Sequence, residues 1–239
     1  MSENNSKLKV LDLFSGILVG GFSLGLERTG GFETVAFCEI EEFPRKVLAK
    51  HWPGVPIYHD VRTLTKDILD RDGIAVDVIC GGFPCQPFST ASHGRRVAVD
   101  LWGELSRLVA AIKPTFVIVE NVAELPIRRA ARFFGDHGYR SIIKRIGADD
   151  CGADHARKRW WCCAYTDDES QLHGAINAEM EMLPELCEGV WTWVNFSEAI
   201  RIPDGFSNRL DGCRALGNSV IPFIPQAFGH AILQSMRTA

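Results

Sequence analysis

Short apolar runs alternate with amphipathic stretches along the first two-thirds of the chain. Residues 9–14 (KVLDLF), 34–38 (TVAFC), 76–80 (VDVIC) and 115–119 (TFVIV) are short and largely apolar. That is the pattern of buried strands. Between them, residues 22–28, 44–51, 104–112 and 128–137 show helical spacing, and Pro44 suits a first helical turn. Strands alternating with helices predict an α/β fold with a parallel sheet covered on both faces. Residues 139–145 and 159–165 read as two more strands. The periodicity then weakens, and within residues 166–211 only 199–202 read as an element. Residues 222–236 return to a helical pattern expected to pack back on the sheet.

Composition narrows the picture. A chain of 239 residues can bury one sizeable core. Its formal net charge of −4 announces no basic field for nucleic acid. The charge is uneven, however. Residues 86–165 carry thirteen Lys and Arg against eight acidic residues, whereas 166–211 carry ten acidic residues against Arg201 and Arg209. None of the eight cysteines forms a CxxC pair, so no metal is expected. Most lie in strand-like runs, which suits reduced thiols in a cytoplasmic protein. The polar N-terminus lacks a signal-peptide core, and no run reaches membrane-spanning length.

Ligands of open α/β sheets bind outside the carboxyl ends of the strands. Several chemically active residues fall there. Residues 12–25 (DLFSGILVGGFSLG) form a glycine-rich turn that lets a ligand approach the backbone. Glu39 ends the second strand, where an acid suits a ribose diol or is simply an exposed loop carboxylate. Asp60 ends a third short strand, as an acceptor for an amino group or a turn residue. Cys85 follows Gly81 and Gly82 and stands between Pro84 and Pro87. It is an aimed nucleophile or an inert buried thiol. Glu120 follows a buried β-branched run, where desolvation would favour a proton-donating role. The alternative is a cap for the next helix.

The ordered set "DLFSG…GGFSLGLE", "FCEIE", "GGFPCQPFS", "ENV" and "RALGNSVIP" resembles the DNA (cytosine-5) methyltransferase family, in a small bacterial or phage form. The resemblance implies a Rossmann-like sheet that binds S-adenosylmethionine, with a short target-recognition region. The implied organisation is a catalytic domain over 1–165, a reduced recognition region over 166–211, and a C-terminal segment, 212–239, returning to the catalytic domain. It implies methyl transfer to C5 of a cytosine flipped out of double-stranded DNA. Cys85 would be the nucleophile at C6, and Glu120 the acid at N3 and the exocyclic amine. Arg159 would hold the cytosine O2 and Arg157 the catalytic loop, both on one face of an extended stretch. For the cofactor, the matching positions are Phe14, Ser15, Gly16, Gly20, Gly21, Glu39, Ile40, Asp60, Val61, Pro84, Leu101, Asn218 and Ser219. A monomer is expected, and a restriction endonuclease is a partner compatible with the family.

Two departures stand out. Three residues, Ile17, Leu18 and Val19, separate Gly16 from the Gly20–Gly21 pair, where the family usually has one, so a local bulge is expected. The region 166–211 is short and acidic, so a short or loose target site is expected. From sequence, a transfer RNA cytosine-5 methyltransferase and a catalytically impaired DNA-binding relic stay open.

Overall fold

A computed structural model describes residues 6–16, 21–84, 100–152, 156–166, 171–187 and 220–238. Its centre is a sheet of seven strands: β1 (Leu8–Leu13), β2 (Phe32–Cys38), β3 (Ile57–Tyr58), β4 (Val78–Gly82), β5 (Phe116–Asn121), β6 (Arg140–Ile146) and β7 (Arg159–Tyr165). The order is β3-β2-β1-β4-β5-β7-β6. The first five strands are parallel. Of the last two only β7 is reversed: it runs antiparallel to both β5 and β6, so β6 points the same way as the first five. The parallel sheet expected from the alternating strands and helices is present in β1 to β5, and β7 is the exception. Among the described residues of the short link between β6 and β7, a 3-10 turn stands at Asp149–Cys151. So short a link suits a reversal better than a crossover through a helix.

Alternation along each strand covers both faces. Val10, Val78, Cys80, Phe116, Ile118, Trp161 and Cys163 pack beneath α1 (Gly21–Arg28), α6 (Leu172–Glu181), α7 (Leu183–Leu186) and α8 (Phe223–Thr238). Leu11, Leu13, Ile79, Val117 and Val119 pack beneath α3 (Lys66–Arg71), α4 (Trp102–Ile112) and α5 (Glu124–Asp136). Helix α2 (Glu42–His51) follows β2 and carries Pro44 in its first turn. The six described cysteines are all buried and free.

Helices α6 and α7 lie in a region where the sequence pattern predicted no element. Leu172, Ile176 and Leu183 are their buried face. The element expected over 199–202 lies outside the described residues. No described helix is long and apolar enough to cross a membrane.

Candidate functional site

The predicted strand at 76–80 proves to run to Gly82, so both glycines are strand residues rather than a turn. Each has a reason. A Cβ on Gly81 would stand 2.5 Å from the Leu13 carbonyl oxygen of the neighbouring strand. A Cβ on Gly82 would stand 2.9 Å from Glu120 Oε2. Gly82 and Glu120 are register partners, so the glycine makes room for the carboxylate. Glu120 is likewise inside β5 rather than after it, and it caps no helix.

Around Glu120 the site is built from charge. Arg159 Nε lies 3.0 Å from Glu120 Oε1 as an ion pair, and only 13% of the Glu120 side chain is exposed. Burial pushes the carboxyl up to about 7, while Arg159 and then Arg157 pull against it. Acid and carboxylate therefore coexist at neutral pH. Arg157 precedes β7 with φ 28, so the two arginines do not share one extended stretch. They meet at Glu120 because the backbone turns there. Burial lowers the Arg157 guanidinium, Arg159 adds to that by repulsion, and Glu120 opposes it. Glu120, Arg157 and Arg159 line a cavity with Ile146, Trp161, Val220, Ile221 and Ile224. Its volume is about 10 Å³, room for roughly one water molecule.

Cys85 lies outside the described residues, but both ends of its loop are fixed. Leu101 N–H donates to the Pro84 carbonyl at 3.3 Å. Asn121 Nδ2 donates to the Phe83 carbonyl at 2.9 Å, and Asn121 Oδ1 accepts from Ala123 N–H at 3.1 Å. The described residues on either side of 85–99 are thus tied together at Pro84 and Leu101, and Gly82 on the near side is the register partner of Glu120.

A second cluster sits at the ends of β1 and β2. Phe14 continues the ladder through its N–H to the Cys38 carbonyl, 2.8 Å, with φ 57. Ser15 Oγ donates to the Asp12 carbonyl. Gly16, with φ 63, turns its N–H onto Glu39 Oε2 at 2.9 Å, and Glu41 N–H meets Oε1 at 2.8 Å. Burial raises the Glu39 carboxyl, and these amides oppose the rise. Ile40 beside it is 57% exposed. Asp60 lies just beyond β3 and is clasped by Arg62, with Nε at 2.9 Å and the terminal nitrogen at 2.7 Å. Val61 is buried next to it. Leu101 is the N-cap of α4. Gly21 opens α1 with its Cα against Val220, where a Cβ would meet the carbonyl at 2.5 Å. Residues 17–20, including Gly20 and the expected bulge, and Asn218 and Ser219 lie outside the described residues.

Sequence reasoning missed Asn121 and Trp161. Asn121 sits in the "ENV" stretch, so its strand-end position was available. Trp161 faces Glu120 only through antiparallel pairing of β7 with β5. Asp12 was also missed. Buried beneath α1, it accepts Ser23 Oγ at 2.7 Å and Ser23 N–H at 3.3 Å. Burial pushes it up to about 7.

A buried acid beside two arginines thus stands at the carboxyl edge of a doubly covered, Rossmann-like sheet. Residues 8–224 match the family model of C-5 cytosine-specific DNA methylases, and the chain belongs to that family. The Type II methyltransferase M.HgiBI of Herpetosiphon aurantiacus is 36% identical over 165 residues, covering 64% of this chain and 36% of M.HgiBI. M.CviJI of Paramecium bursaria Chlorella virus IL3A is 32% identical over 226 residues, covering 90% of this chain and 56% of M.CviJI. The chain thus spans 36% and 56% of these two relatives' lengths. The solved Entamoeba histolytica methyltransferase EhMeth superposes with a TM-score of 0.64 at 13% identity, over 97% of this chain and 99% of that one. That likeness is one of fold.

Proposed function

We propose that this chain transfers a methyl group from S-adenosylmethionine to C5 of cytosine in DNA. What carries this reading is Glu120, a carboxyl held near neutral pKa beside two arginines. Its acid form donates a hydrogen bond to cytosine N3, offsetting charge as the ring is attacked at C6. Arg159, already fixed at 3.0 Å from the carboxylate, holds O2, a task suited to a planar, always-charged group. Cys85 adds through its sulfur to C6, which makes C5 nucleophilic. After methylation the C5 proton leaves to a base and the thiolate departs, so the ring is restored. The cavity holds about one water's volume, so its lining has to rearrange before a flipped base fits there.

The residues at the ends of β1 to β3 fit an adenosine. Glu39 offers a buried carboxylate for a diol, with both oxygens already oriented by amides. Ile40 offers an exposed apolar face for a purine, and Asp60 an acceptor for its amino group. When bound there, S-adenosylmethionine supplies an electrophilic methyl group. Residues 1–165 and 212–239 would form this catalytic unit and 166–211 the reader. Bisulfite sequencing of DNA from cells expressing the chain, beside Cys85→Ala, tests the proposal. Protected cytosines are expected with the natural chain alone. Equal conversion in both samples overturns it.

A further inference from the structure

We infer that Arg107 is a positioning residue for the adenine end of the cofactor site; this deepens the cofactor reading above and rests on it. Residues 60–64 form one isolated helical turn. The Asp60 carbonyl accepts from Thr63 N–H at 3.0 Å, Leu64 N–H at 3.2 Å and Thr63 Oγ1 at 2.9 Å. The chain then extends at Thr65, with φ −133 and ψ 163, to cap α3. The later carbonyls of such a turn have no continuing helix to bond them. Arg107 supplies the missing donor. Its terminal nitrogen lies 3.0 Å from the Val61 carbonyl and 2.9 Å from the Leu64 carbonyl. Its Nε donates to Glu104 Oε2 at 2.9 Å, which fixes the plane of the guanidinium.

The consequence follows from where these groups sit. Arg107 lies on α4, whose N-cap is Leu101. One guanidinium therefore fastens the turn carrying Asp60 and Val61 to the helix carrying Leu101. Arg62 acts differently: its backbone N–H at 3.0 Å and its side chain at 2.7 Å orient the Asp60 carboxylate within the turn. Arg62 sets how the carboxylate is rotated, and Arg107 sets where it stands. A lysine is a point charge and cannot combine a braced plane with two carbonyls in this way.

The test is equilibrium binding by calorimetry, with S-adenosylmethionine and with an analogue whose purine lacks the 6-amino group. Arg107→Met keeps the side-chain length and removes the guanidinium. Its affinity for S-adenosylmethionine should fall about tenfold, the scale of one charge-assisted hydrogen bond misplaced. The analogue, which offers Asp60 no amino group, should keep its affinity. Arg107→Lys should retain part of the preference, and it serves as the measurement if the Met variant does not fold. Loss of affinity for both ligands alike marks a merely structural role and overturns the inference, as does wild-type preference in the variants. Failure of the natural chain to bind S-adenosylmethionine overturns the cofactor reading itself.

Discussion

Glu120 is held between two opposed demands, burial favouring its acid form and two arginines favouring its carboxylate. The sign of its pH effect is fixed by burial winning. The acid form fades as pH rises through about 7, so kcat/KM for methyl transfer should fall by about tenfold per pH unit above that value. Glu120→Gln should lower transfer by roughly a hundredfold or more and remove this descending limb. A variant with the same limb would assign it to another group. The same raised values bear on stability. For Asp12 and Glu120 the folded carboxyls sit at about 7, against ordinary values of 3.8 and 4.5. The folded state therefore holds more protons between those limits, and stability present at low pH is lost as pH rises through 7. Urea midpoints measured from pH 5 to 8 should fall, and Asp12→Asn should flatten that fall while its amide oxygen still accepts from Ser23. At this scale the sequence displayed Glu120 and Glu39, because each comes at the end of a buried run, and Arg157 and Arg159, because they lead into one. It could not display that Gly82 exists for Glu120, since that is a cross-strand relation.

Helices α1 and α8 meet through glycines. A Cβ on Gly25 would overlap the Pro222 carbonyl oxygen and lie 2.9 Å from Pro225 Cβ. A Cβ on Gly229 would lie 2.9 Å from Thr29. This close seam seats residues 220–224, three of which line the Glu120 cavity. Gly25→Ala should therefore cost about 1–3 kcal/mol through overpacking and also weaken transfer. Gly103→Ala in α4 is its control, because among the described residues nothing stands within 4 Å of the added carbon. It should stabilise by roughly 0.5–1 kcal/mol, the helix-propensity gain. Urea denaturation of both variants checks the contrast, and equal effects would dissolve the seam argument. Elements of strong period were legible in sequence with edges shifted by a few residues. Helix α6 was not, although Leu172 and Ile176 are helically spaced, because Gly174 and Asn177 dilute the pattern. The antiparallel β7 was illegible as a direction, because apolar runs carry no sign. The shortness of the connection before it, residues 147–158, is the signal that bears on direction.

The molecule as a whole is acidic, so under the proposed function attraction to DNA has to be local. Sequence alone points to Arg128, Arg129 and Arg132 on α5 as part of a basic face. The structure separates them. Arg128 Nε donates to Glu124 at 2.6 Å, and Arg129 reaches Asp100 at 2.8 Å while stacking 5.7 Å over Trp102. Arg132 is exposed and has no such ion pair among the described residues. A cation already matched by a carboxylate has to exchange that partner before it neutralises a phosphate, so its net gain is smaller. Each phosphate neutralised contributes about −0.9 to the slope of log K against log salt. Arg132→Ala should therefore flatten that slope by about 1, and weaken binding evenly across DNA sequences. Arg128→Ala and Arg129→Ala should flatten it by less, because each also frees an acid that repels the backbone without a full contact being lost. Salt titrations of fluorescent duplex binding measure all three. Equal slopes for the three variants, or the largest change at Arg128, would mean that these ion pairs open on DNA and that the resting geometry does not rank them.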